Sequence, residues 1–208
     1  MTESQPLSQE LSRCPWCGTD PLYQAYHDHV WGRPVLDSRE LFEKLCLDGQ
    51  QAGLSWITIL RKQANYQAAF HQFEPAKIVQ MSEAEREQLM HNPGIVRNRL
   101  KIESIYKNAQ AYLRIVERGD NFADFLWRCV DYRPIINELQ ARDANYPTRS
   151  DASDKMAKAL KKEGFSFVGT TICYAFMQAV GMVNDHLTSC HCYEPLCQQL
   201  ANFEFNPT

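Results

Sequence analysis

A chain that carries Cys14 and His27 near its start, and His186 and Cys190 near its finish, can close its two ends on a single ion. Thiolate and imidazole are the side chains a tetrahedral zinc prefers, and four of them leave no coordination position open. Such a centre is structural, and it forces the two terminal segments to meet. Neighbouring groups compete for the same role: Cys17 stands close to Cys14, and His191, Cys192 and Cys197 crowd the far pair. Cys14-Pro15-Trp16-Cys17 also reads as a CxxC redox pair, but such a pair is expected after a strand in a βαβ unit, and none is evident.

The 208 residues suit one compact domain with a real core. No apolar run reaches the roughly 18 residues of a membrane span. The opening MTESQPLSQELSR has neither a basic start nor an apolar stretch, so it reads as a flexible leader over residues 1–12 and not as an export signal. Eight cysteines without such a signal imply reduced thiols and a cytoplasmic protein, with Cys46, Cys129 and Cys173 as small buried hydrophobes. A net charge of −3 argues against nonspecific coating of nucleic acid. Charge is nevertheless concentrated: between Pro93 and Arg118 six basic residues face two acidic ones. A DNA-binding face needs only local concentration, although a solvated helix face has the same signature.

The pattern is helical nearly throughout. Asp37-Ser38 opens a segment with Leu41, Phe42, Leu45 and Cys46 on one side, and Ser82-Glu83-Ala84-Glu85 is a capping box. From Asn98 to Val116 the positions Ile102, Ile105, Tyr106, Ala109, Tyr112, Leu113 and Val116 follow the helical repeat. Ser153 to Lys162 forms a shorter helix, basic on its exposed face. Thr170 to Val180 is apolar almost all round, and Gly181 stops it. Tyr132 to Ser150, with two prolines, reads as irregular connection. The expected class is all-α.

Two segments between helices carry chemistry. His91-Asn92-Pro93-Gly94-Ile95-Val96-Arg97-Asn98 is a tight hairpin whose backbone N–H groups, followed by Arg97, Arg99 and Lys101, suit a phosphate. Leu47-Asp48-Gly49-Gln50-Gln51-Ala52-Gly53-Leu54-Ser55-Trp56 gathers a carboxylate, two glycines, two amides and a tryptophan just after a helix. That is a poor recipe for core packing. With Trp16, Tyr23, Tyr26 and Trp31 upstream, it suggests an aromatic pocket around a carboxylate.

On these segments the chain resembles the constitutive bacterial 3-methyladenine DNA glycosylases of the helix-hairpin-helix superfamily. The resemblance rests on Cys14-x-Trp16, DPLYQAYHDHVWG (20–32), DGQQAGLSWITIL (48–60), NYQAAFHQF (65–73), GIVRNRLKI (94–102) and KALKKEGFSFVGTTICYAFMQAVGMVNDH (158–186). It implies one helical glycosylase domain over 13–193, in two subdomains with the base pocket between them, then a tail over 194–208. It implies a structural zinc on Cys14, His27, His186 and Cys190. Tyr26 and Trp56 are implied to stack on the extracted base, with Tyr23, Trp16 and Trp31 lining or supporting the pocket. Gly53 and Leu54 are implied to lie at the gap left in the DNA, and the hairpin at Gly94 to grip the backbone. The family has glutamate where this chain has Asp48, which keeps the charge on a side chain one methylene shorter.

The implied activity is monofunctional: alkylated double-stranded DNA is bound by a monomer, the base is hydrolysed off, and an abasic site remains. Helix-hairpin-helix glycosylases commonly carry a catalytic aspartate downstream of the hairpin. The corresponding window, Gln110 to Val116, holds no acid here, and the resembling family lacks it as well. The rival readings are a noncatalytic zinc-clasped module that recognises damaged DNA, and a CxxC oxidoreductase.

Overall fold

The computed structural model describes residues 11–140 and 146–206; the expected leader lies outside these apart from Leu11 and Ser12. The described residues form α1 (Pro21–His29), α2 (Ser38–Gln51), α3 (Trp56–Leu60), α4 (Gln63–Ala69), α5 (Pro75–Ile78) and α6 (Glu83–Gln88). They continue through α7 (Arg99–Glu117), α8 (Phe122–Trp127), β1 (Ile135–Ile136), α9 (Asp151–Glu163), α10 (Thr170–Ala179), β2 (Val183–Asn184) and α11 (Tyr193–Ala201). None of these helices is long and apolar enough to cross a membrane.

Side-chain caps fix where the main helices begin. Asp20, Asp37, Asn98 and Asn121 each accept from a backbone N–H of the first turn, and the expected box at Ser82 and Glu85 is closed in both directions. A second box, Ser150 with Ser153, starts α9 a little earlier than its apolar pattern indicates. α10 is the central apolar helix expected, packed between α9 and α2. Gly181 ends it for a steric reason: at φ +72°, a Cβ there would lie 2.4 Å from the Arg33 carbonyl carbon and the Pro34 nitrogen.

The burial of α7 differs from its apolar stripe. Val116 is exposed and Ile115 is fully buried, because a second row, Lys101-Ser104-Asn108-Ala111-Ile115, also faces inward. The polar members of that row are invisible to a hydrophobic pattern, and each is bonded. Asn108 accepts from Ser166 N at 2.8 Å, Ser104 Oγ donates to Lys101 O at 2.6 Å, and Lys101 caps α2 as described below.

The connection over Tyr132–Ser150 is not wholly irregular. β1 runs parallel to β2 with Ile135 opposite Val183 and Ile136 opposite Asn184, and a further bridge joins Leu139 to Leu187. Two-residue strands are too short to show an alternating pattern. The buried Asp185 carboxylate accepts from Asn137 Nδ2 at 2.7 Å, Tyr174 Oη at 2.8 Å and Gln178 Nε2 at 2.7 Å, fastening this ladder to α10. Beyond β2 the chain turns back across the N-terminal segment, where His191 N donates to Ser12 O at 2.8 Å. After α11, Phe203 stacks on the buried Trp127 at 4.7 Å.

Candidate active site

Asp48 belongs to the last turn of α2 and does not follow the helix as its glycine-rich surroundings suggest. Gly49 is tolerated there because Phe167 approaches so closely that a Cβ would meet it at 3.1 Å, so this glycine serves helix packing and not a ligand. The Asp48 carboxylate is 2 % exposed; Oδ1 accepts from Lys44 Nζ at 2.7 Å, and Oδ2 has no partner. Burial raises this carboxyl above its ordinary range, against the pull of Lys44.

A cavity of about 300 Å³ opens beside that oxygen, lined by Trp16, Tyr23, Tyr26, Trp31, Lys44, Asp48, Gln51, Trp56, Tyr146 and Gln178, among others. Tyr26 and Trp56 meet there at 5.5 Å between ring centres, tilted by 43°. Trp16 meets Tyr26 edge-on at 6.5 Å and stands 5.0 Å from both Tyr23 and Trp31. The five aromatic residues expected at the pocket therefore converge on it. Among the described residues, three buried side-chain polar atoms lack a hydrogen-bond partner: Asp48 Oδ2, Trp56 Nε1 and Tyr146 Oη. All three residues line this one cavity. The Tyr146 hydroxyl faces the Cys14 sulfur. The Asp48 oxygen has no such neighbour, and an unsatisfied buried group is rare and costly enough to mark a site that receives a polar ligand.

Cys14, His27, His186 and Cys190 also come together, all buried, with their ligand atoms within 4.8 Å of one another. Cys14 Sγ lies 3.6 Å from His186 Nδ1, and Cys190 Sγ lies 3.5 Å from both His186 Nδ1 and His27 Nε2. The far ring nitrogens are anchored, His27 Nδ1 at 2.8 Å from Asp28 Oδ1 and His186 Nε2 at 3.4 Å from Trp31 O. Although burial opposes it, Arg13 and then His27 hold the Asp28 carboxyl down at about 2. Backbone N–H groups of Leu187 and Cys192 point at Cys14 Sγ and Cys190 Sγ. Cys17 is turned away, donating to Cys14 O at 3.2 Å. Cys192 and His191 lie beside Cys190 and form a smaller group that shares it. Trp31, 4.6 Å from the His186 ring, joins this cluster to the pocket.

The hairpin over His91–Asn98 uses most of its own N–H groups. Gly94 N donates to Asn92 Oδ1 at 2.8 Å, Ile95 N to Asn92 O, Asn98 N to Val96 O, and Val96 N to Tyr66 Oη at 3.0 Å. Gly94 is required by close packing, since a Cβ would stand 2.9 Å from Asn65. Arg97 is exposed at the hairpin, and Arg99 is exposed but paired with Glu87. Gly53, at φ +75° with open space around it, and Leu54, 40 % exposed, form the loop leading to Trp56.

Lys101 corrects the expected row of phosphate contacts. It is buried, and its Nζ donates to Gln50 O and Ala52 O at 2.7 Å each, satisfying the last carbonyls of α2. A bonded chain runs on from there: Gln50 Nε2 donates to Lys101 O, Tyr66 Oη donates to Gln50 Oε1, and Val96 N donates to Tyr66 Oη. The hairpin is thus fixed relative to the end of the pocket helix. Lys101→Met is expected to lower unfolding free energy in urea by about 1–3 kcal/mol, the cost of orphaned buried carbonyls. It should leave the dependence of DNA affinity on salt unchanged. A slope that falls by about one phosphate contact at unaltered stability would return Lys101 to the DNA face.

Comparison with known proteins shows the family of the chain. The sequence profile of the methyladenine glycosylase family matches residues 16–193. The chain belongs to the methyladenine glycosylase family. It is 53% identical over 183 residues to DNA-3-methyladenine glycosylase 1 of Escherichia coli K12, covering 88% of this chain and 97% of that one. A crystal structure of a 3-methyladenine DNA glycosylase I superposes with a TM-score of 0.85 at 56% identity, covering 88% of this chain and 100% of the other. Another, solved in complex with 3-methyladenine, gives a TM-score of 0.82 at 40% identity, covering 87% and 97%.

Within this glycosylase, three features of the site escape sequence reasoning. Tyr146 enters the pocket from a segment with no periodic signal. Asp28 stands behind His27, where adjacency alone was the available sign. Lys44 precedes Asp48 by one helical turn, a spacing that marks facing side chains and was the readable signal.

Proposed function

We propose that this chain is a monofunctional DNA glycosylase that hydrolyses the N-glycosidic bond of 3-methyladenine in alkylated double-stranded DNA, releasing the free base and leaving an abasic site. The observation that carries the reading is the unpartnered, buried Asp48 oxygen beside the Tyr26–Trp56 ring pair in one small cavity. The names of the relatives, which act on 3-methyladenine, support it.

N3-methylation makes adenine cationic, which weakens its bond to the sugar. Water attacks C1′, the C1′–N9 bond breaks, and its electron pair neutralises the departing base while a proton passes to solvent. Little acid catalysis is needed, so the work of the protein is extrusion and capture. Tyr26 and Trp56 offer ring faces, each worth roughly 0.5–2 kcal/mol to a cation. The free Asp48 oxygen accepts from the exocyclic amine and complements the positive charge. We assign the exposed Leu54, beside Gly53, to the gap left in the duplex, where an apolar wedge keeps the stack open. Gly94, Arg97 and Arg99 are assigned to the DNA backbone, Arg99 after release from Glu87.

We read Cys14, His27, His186 and Cys190 as the ligands of a structural zinc. The donor set, the near-equal sulfur–nitrogen separations and the anchored far ring nitrogens fit a closed tetrahedral centre. Zinc there supplies a tether between the chain ends and takes no part in hydrolysis.

The test is chromatography of bases freed from methylated DNA. Release of 3-methyladenine supports the reading. DNA binding without any free base would replace it with the noncatalytic module.

A further inference from the structure

Lys44 sits where a cationic base would have to go. Its Nζ lies 3.5 Å over the Trp56 ring and 5.9 Å from the Tyr26 ring, and it donates to Asp48 at 2.7 Å. The ammonium therefore already holds the carboxylate and the aromatic face that suit a positively charged purine. Two cations side by side over one indole in a poorly hydrated pocket repel each other strongly.

The lysine has somewhere else to stand. On α2, Glu40 is four residues before Lys44 and Asp48 is four residues after it, so the three side chains share one face of the helix. A second cavity of about 660 Å³ lies on the other side of the Tyr26–Lys44–Trp56 partition and is lined by Glu40 and Glu43 as well as by Lys44. A rotation about the side-chain bonds of Lys44 carries its ammonium from Asp48 toward Glu40 with no movement of the backbone. Glu43 is less available, since its Oε1 already accepts from Gln63 and Gln67.

We infer that Lys44 is a displaceable resident cation of the base pocket: it neutralises Asp48 in the free protein and withdraws into the neighbouring cavity when the base arrives. It is a specificity-determining residue. A base that cannot replace its charge on Asp48 displaces it poorly, whereas a methylated, cationic one restores the pairing. This rests on the reading of the smaller cavity as the base site.

Calorimetric titration with 3,9-dimethyladeninium, which keeps the positive charge that the free base loses, tests it on wild type, Lys44→Met and Trp56→Leu. Removing the resident ammonium should tighten binding by about fivefold, the scale of one cation–π contact. A purely structural lysine gives the opposite sign when lost. Equal or weaker binding by Lys44→Met, with binding lost in Trp56→Leu, would overturn the inference and leave the base site standing. Unchanged binding by Trp56→Leu would remove the base site, and the inference with it. Lys44→Arg, which keeps the charge and the fold, should stay at the wild-type affinity, and tightening by that variant would also count against displacement.

Discussion

Asp48→Asn is expected to slow excision of 3-methyladenine about 100-fold in single-turnover assays, the scale of losing one aligned electrostatic contact in a dry site. The amide keeps the shape but loses the charge, and half of its polar group can no longer accept from the exocyclic amine. Stability has two opposed parts. Burial raises the Asp48 carboxyl in the folded state, so ionising it costs stability near neutral pH, a cost that disappears at low pH where the carboxyl is protonated in folded and unfolded chains alike. The amide removes that cost but leaves the Lys44 ammonium without its charged partner, so the thermal midpoint of Asp48→Asn should stay near that of wild type. An unchanged rate would remove Asp48 from the pocket chemistry. A lost rate with a collapsed midpoint would make it a structural residue.

The second large effect belongs to the clasp. Cys190→Ser should abolish stoichiometric zinc and cost about 2–5 kcal/mol, as loss of a covalent cross-link does. For a chain of this length that is roughly 10 °C in Tm. Excision measured well below the new midpoint should persist, because the cluster stands outside the cavity and meets it through Trp16, Trp31 and Tyr146 without lining it. Atomic absorption together with differential scanning calorimetry reads both changes. A wild-type protein free of metal with the same midpoint as its zinc-loaded form would dismiss the clasp.

Where one residue type in one spacing has a single physical reading, the sequence is legible. Asp37, Ser82 and Asn98 start helices because their side chains accept first-turn N–H groups, and Cys14, His27, His186 and Cys190 do converge. The aromatic residues of the pocket were readable as a group around a carboxylate. Illegible features depend on direction. Lys101 is one basic residue among several, and only the packing of α7 on α2 turns its ammonium inward. Tyr146 and β1 lie in an aperiodic segment, and two-residue strands are too short to alternate. Gly49 looks like a ligand-binding glycine, yet Phe167 is what presses against it.

The most direct measurement is a crystal structure with 3-methyladenine bound. The base is expected in the 300 Å³ cavity, its ring against Trp56 and Tyr26 and its amine on Asp48. A base seated instead in the 660 Å³ cavity beside Glu40, with Asp48 untouched, would contradict it.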